Sequence, residues 1–167
     1  AGPLPGPTTA PGVKAGGDPN IFETEIHSGL YRGTILIELD RVGCGDGFEK
    51  DLAPKERANR VKGLLAALKN LWASGRQSRF LADISPKFVA AAMLKAKNPI
   101  FLESVRVEGD STINAAMIQE TLDDYHQEIA ASVIGIRTGA FDGDIAGAVT
   151  IGDAFAAMAA WVDEYYG

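Results

Sequence analysis

A chain of 167 residues with 46% hydrophobic and 23% charged side chains has the length and composition of a globular domain with a core, not of a disordered or fibrous protein. Its longest apolar run, AVTIGDAFAAMAAWV at residues 148–162, is too short to cross a bilayer and carries Asp153, and its single cysteine, Cys44, excludes a disulfide within the chain. The net charge of −6 argues against a globally cationic protein, but residues 55–106 carry eleven basic and three acidic side chains while residues 107–167 carry one and eleven.

Residues 1–20, AGPLPGPTTAPGVKAGGDPN, hold five prolines and five glycines. They cannot bury enough surface to offset the entropy of ordering, so they read as a flexible segment ahead of one domain over 21–167. They do not resemble an apolar signal peptide, and a cytoplasmic location is the simplest expectation. Ile21 to His27 alternates as a strand, Ser28-Gly29 offers a turn, and Thr34 to Asp40 is a β-branched, apolar run, together predicting a hairpin. Residues 54–74 predict a helix with Val61, Leu64, Leu65, Leu68, Leu71 and Trp72 on one face, Pro54 in its first turn and Gly75 at its end.

KFVAAAMLKA (87–96) is ambiguous between helix and strand, and is assigned as a strand because Pro86 and Pro99 leave room only for a short element. IFLESVRV (100–107) predicts a strand, residues 111–129 a helix capped by Asp110 or Ser111, and ASVIGIRTG (131–139) a strand. Thr150 with Asp153 three residues on has the pattern of a capping box, opening a last helix that buries Ile151, Phe155, Met158 and Val162. Strands and helices interspersed in this way predict an α+β fold: an RNA-recognition-like, or ferredoxin-like, antiparallel sheet with helices on one face, in partial or decorated form.

Catalytic and metal-binding signals are sparse. Cys44 has no base near it in sequence, and His27 and His126 stand 99 residues apart with no CxxC, HxxxH or HExxH spacing. No phosphate-binding GxxxxGK[ST] is present, and Asp142 and Asp144 fit an ordinary turn as well as a metal site. No metal or cofactor is expected.

The stretch GRQSRFLADISPKF at 75–88 is different. Arg76 and Arg79, with Gln77 and Ser78 between them, form a dense set of donors directly before apolar Phe80 and Leu81. Arginine holds phosphate in a forked geometry that lysine cannot reproduce, and neutral donors of this kind serve sugar-phosphate backbones. Cations complementing the end of the preceding helix are the structural alternative. The basic middle third likewise fits either pairing with the acidic C-terminal third or a local anion-binding surface. His27 fits a structural role or a ligand contact equally, and Tyr31 with Arg32 would add an aromatic and a cation.

Taken in order, ETEIHSGLYRGTILIELDRVG, a helix, GRQSRFLADISPKFVAAAM, SVIGIRTG and a short C-terminal helix resemble the CRISPR-associated DevR family, the repeating backbone subunit of type I Cascade surveillance complexes, in its I-B form. The resemblance covers about residues 21–167, and EIHSGLYRG and GRQSRFLADISP are its most specific parts. It implies a non-catalytic subunit that lines up in copies along a CRISPR RNA and grips its backbone regardless of sequence, in antiviral defence. The implied partners are CRISPR RNA, target DNA in the assembled complex, other Cascade subunits and copies of the chain, with no membrane. The resemblance also implies an additional N-terminal segment supplying the first strand of the palm, so the chain is expected to be the C-terminal portion. Within the matching motifs, Arg76, Gln77 and Arg79 are the first candidates for RNA contact, followed by Arg32 and His27 and then Lys87. Two rivals are a metal-dependent endoribonuclease subunit using Asp40, Asp46 or Asp83, and a regulatory scaffold acting through an acidic face; Asp83 also fits a brace for the DISP turn.

Overall fold

The computed structural model describes residues 29–47, 49–72, 83–109 and 111–167. The chain divides after Gly33 into two units, and the second, Thr34–Gly167, holds all the regular structure described here. It is α+β: helices α1 (Pro54–Lys69), α2 (Ala115–Asp124) and α3 (Ile151–Tyr166) with strands β1 (Phe88–Leu94), β2 (Val107–Glu108), β3 (Thr112–Ile113) and β4 (Ile129–Ile136). β1 and β4 pair antiparallel, Phe88 opposite Ile136 and Ala91 opposite Val133, and β2 with β3 makes a separate short hairpin. Val149 adds a parallel bridge to β4 at Gly135. Among the described residues the expected larger sheet is reduced to this two-stranded ribbon, with α3 packed on it and α1 packed on α3.

The core lies between the two long helices. Ala58, Val61 and Leu65 of α1 meet Phe155 and Val162 of α3, with Ile37, Leu39 and Val42 closing one side. Spacings of three and four put Ala58, Val61, Leu65 and Leu68 on one seam. Leu64 flanks that seam and is 43% exposed. Leu71 and Trp72, expected to face inward, are exposed instead, because α1 stops at Lys69, where Asn70 bonds back to the Ala66 carbonyl. Beyond that point the helical period no longer sets direction. Lys62 Nζ reaches Asp163 at 2.6 Å and ties the two helices together at their surface.

Arg57, one of the cations of the basic middle third, is a structural clamp. Its guanidinium donates to the carbonyls of Val42 (2.7 Å), Asp40 (2.8 Å) and Leu39 (3.0 Å), and lies 5.1 Å from the centre of the Tyr166 ring. Tyr166 Oη donates to the same Leu39 carbonyl at 2.6 Å. These bonds explain why the end of the run Thr34–Asp40 is not a strand: Leu39–Arg41 winds into a 3-10 turn in which the Leu39 and Asp40 carbonyls accept from side chains, leaving neither for a ladder. Next to it, Gly43 holds a positive φ of 69°, which favours glycine, and a β-carbon there would also displace the Leu52 side chain, whose Cδ1 it would meet at 2.7 Å.

Two further elements differ from expectation. Ile100–Ser104 is a turn, not a strand, started by Pro99, whose carbonyl accepts from Leu102 N at 2.9 Å. The helix expected from residue 111 begins at Ala115, because β-branched Thr112 and Ile113 pair with β2 first. The cap is therefore Asn114, which accepts from Met117 N at 2.9 Å, in place of Asp110 or Ser111. The expected strand at 21–27, its turn at Ser28 and the helix stop at Gly75 lie outside the described residues.

Thr150 caps the helix as expected, its Oγ1 accepting from Asp153 N at 3.1 Å, while Asp153 Oδ2 accepts from that hydroxyl at 2.7 Å and not from the Thr150 backbone N–H of a full capping box. Thr150→Ala should cost about 1 kcal/mol of stability, read as a lower thermal midpoint with unchanged helix content before the transition.

Candidate nucleic-acid interface

The ribbon brings two cations together at one end. Lys87 immediately precedes β1 and Arg137 immediately follows β4. Arg137 N donates to the Lys87 carbonyl at 2.9 Å, continuing the ladder one step past the strands. Between the two side chains stands Asp83, whose Oδ2 accepts from Lys87 Nζ and, at 3.0 Å, from the Arg137 guanidinium. Its other oxygen accepts from Ser85 N (3.0 Å) and Ser85 Oγ (2.5 Å), and Lys87 Nζ also reaches Ser85 Oγ at 3.0 Å.

Lys87 above all, then Ser85 and Arg137, hold the Asp83 carboxyl well below the usual carboxylate range. One carboxylate against two cations leaves the cluster with one net positive charge. Lys87 is half-buried while the Arg137 side chain is 56% exposed, so Arg137 presents that charge to solvent. Beyond the pair lies a shallow concavity of about 320 Å³ lined by Lys87, Arg137, Thr138, Gly139 and Ala140. Phe88 and Phe141 meet edge to face at this end of the ribbon, 6.4 Å between centroids.

A carboxylate whose acidity is raised by folding contributes stability above the unfolded-state pKa of about 3.9. That contribution fades as pH falls below this value toward the depressed folded-state pKa. Asp83→Asn should therefore be less stable than the parent at neutral pH, with the difference shrinking below about pH 4. Urea unfolding at a series of pH values checks this.

Of the residues singled out from the sequence, Lys87 is part of this cluster. Arg32 is exposed and belongs to the first unit. Arg76, Gln77, Arg79 and His27 lie outside the described residues; in sequence, Arg79 precedes Asp83 by four positions. Arg137 was not foreseen, though it is the lone base among residues 107–167 and sits between a strand and a Thr-Gly turn. Asp83 takes the bracing role for the DISP turn, and Asp40, another candidate metal ligand, is bound to Lys97 at 2.8 Å. Among the described residues no three metal-ligating side chains gather.

The charge asymmetry resolves in part. Among the described residues Lys62–Asp163 is the one ion pair from a middle-third cation to a C-terminal carboxylate. Arg60 and Arg106 pair with Glu56 and Glu103 within the third, and Lys97 pairs with Glu38 and Asp40. Among the described residues the basic segment is thus not neutralised by the acidic one. No helix among the described residues is long and apolar enough to cross a membrane.

Comparison with curated proteins and with solved structures gave no match. A protein-family model, described as CRISPR-associated negative auto-regulator DevR/Csa2, matches residues 8–125 and so spans the GRQSRFLADISP stretch, Asp83 and Lys87. With that match over most of its length, the chain belongs to the CRISPR-associated DevR/Csa2 family.

Proposed function

We propose that this CRISPR-associated chain is a non-catalytic subunit that grips the ribose-phosphate backbone of a CRISPR RNA, repeating along the guide in a type I, I-B-like Cascade complex. The observation that carries the reading is the pair of cations at the end of the β1–β4 ribbon, held by one carboxylate and keeping a net positive charge. A guide varies in sequence, so a protein that carries any guide must read phosphate and sugar, not base edges. Arg137 is suited to that: its backbone is fixed by the ladder and its guanidinium by Asp83, so little freedom remains to be lost on binding. Gln77 and the arginines at 76 and 79, a few positions upstream of Asp83, would extend the contact, with Arg32 and His27 as further candidates.

Arg137→Ala, and likewise Arg76→Ala or Arg79→Ala, should weaken binding of single-stranded RNA by about 1–2 kcal/mol each. The loss should be equal across scrambled sequences, and each change should flatten the salt dependence by roughly 0.7 in log K against log salt. A loss confined to one RNA sequence would contradict backbone gripping. The family's description as a negative auto-regulator favours a second reading, a regulator acting on duplex DNA or on protein partners. Tighter binding to duplex DNA than to RNA in the same titration, or binding indifferent to salt, would favour it.

A further inference from the structure

The concavity beside Arg137 is walled by a tight turn. Ala140 N donates to the Arg137 carbonyl at 3.0 Å, and Gly139, third of these four residues, holds a positive φ of 77°, the pattern of a type II turn. Arg137 is itself tied back to the Lys87 carbonyl, and Phe141, just beyond the turn, meets Phe88 edge to face. The turn is fastened on both sides, and Thr138 at its second position is fixed with it. A β-branched side chain has few rotamers, so the Thr138 hydroxyl has little freedom of its own.

That hydroxyl is unused. Thr138 is exposed, and neither its side chain nor its N–H makes a hydrogen bond among the described residues. It lines the same opening as Lys87 and Arg137, and the remaining lining residues, Gly139 and Ala140, carry nothing long enough to cover it. A cationic pair and a neutral hydroxyl therefore face one ligand. The cations suit a phosphate. The hydroxyl adds no charge, but it both donates and accepts, and it suits a group that does the same. On a ribonucleotide that group is the 2′-hydroxyl, whose carbon is bonded to the one that carries the 3′-phosphate. A strand with a phosphate at Arg137 brings a 2′-hydroxyl to the neighbouring residue. DNA offers the phosphate without the hydroxyl.

We propose that Thr138 is a specificity-determining residue of this site: its hydroxyl hydrogen-bonds the ribose 2′-hydroxyl next to a phosphate held by Arg137, so the site prefers RNA to single-stranded DNA. The assignment rests on the proposed grip on the RNA backbone and adds the sugar that the grip selects. Cations alone do not make that choice, because both kinds of strand carry the same phosphates.

Titration of the 167-residue chain with two single strands of one base sequence, an RNA and its 2′-deoxy counterpart, tests this. The parent should bind the RNA more tightly. Thr138→Val keeps nearly the same shape without the hydroxyl, and should reduce that preference by about two- to tenfold, the weight of one neutral hydrogen bond. Reading the ratio of the two affinities cancels the difference in flexibility between the strands, which is the same for both proteins. Thr138→Ser should restore most of the preference, and Arg137→Ala should weaken both strands. A parent that binds both strands equally, or a Thr138→Val chain with the parental preference, overturns the assignment. If Arg137→Ala still weakens both strands in that case, the grip on the backbone stands without it. If Arg137→Ala weakens neither, the backbone contact at this site fails, and the role of Thr138 fails with it.

Discussion

Replacing Arg57 by alanine is expected to lower the unfolding free energy by about 2–4 kcal/mol, read as a lower urea midpoint at unchanged slope. One guanidinium serves three carbonyls, of Leu39, Asp40 and Val42, and covers the face of Tyr166. Each is a charge-assisted bond, those to Leu39 and Val42 in half-buried places, and removing the donor takes the side-chain partner from the Val42 carbonyl and leaves Leu39 with Tyr166 alone. The turn carries Leu39 and the residues after it into the α1–α3 core, so its loosening also exposes apolar surface. Arg57→Lys should recover only part of the loss, because a point-like ammonium cannot reach three divergent carbonyls or stack on a ring. Tyr166→Phe in the Arg57→Ala background should cost more than in the parent, since it then takes the last of two side-chain donors from the Leu39 carbonyl. An Arg57→Ala protein within about 0.5 kcal/mol of the parent would place this residue among ordinary surface cations.

Gly135→Val should be the most damaging change at the helix–sheet contact. A β-carbon at 135 would fall 2.6 Å from Ala154 Cβ and 2.8 Å from Val89 Cγ1, with the Ile151 backbone at 3.5 Å. Ala154 is fully buried, so α3 must lift from the ribbon to admit even one methyl. Overpacking of this kind costs about 1–3 kcal/mol for the first carbon and more for valine. Thermal unfolding should show Gly135→Ala intermediate between parent and Gly135→Val. Ala154→Gly should rescue part of the Gly135→Ala loss by vacating the facing β-carbon. Failure of that rescue would mean that the loss comes from the strand backbone and not from the contact.

Lifting α3 would also disturb the candidate site, because Gly135 lies two residues before Arg137. RNA binding by Gly135→Ala should fall at temperatures where the domain is still folded, whereas Thr150→Ala, distant in sequence from the cations, should leave it unchanged.

The elements legible from sequence are those whose signal is local. Helix α1 follows from its period and Pro54, and α3 from Thr150 and Asp153, which bond to each other within three residues. β1 and β4 follow from short apolar runs bounded by proline and glycine. Asp83 was legible as a turn brace because its partner Ser85 is two residues away. Membership of the DevR/Csa2 family was legible too, in motifs that lie within the matched residues.

What only the tertiary structure decided is set by partners far apart in the chain. Thr34–Asp40 has every local mark of a strand, but at its end Arg57, seventeen or more residues away, and Tyr166, at the other end of the chain, take the carbonyls of Leu39 and Asp40. Which of the apolar side chains of α1 are inside depended on where the helix stopped and on which face α3 covered. Arg137 became a partner of Lys87 because antiparallel pairing brings the end of β4 to the start of β1, fifty residues apart in sequence. Local propensity fixes how a segment prefers to run; hydrogen-bond satisfaction and packing across the fold determine which preferences are kept.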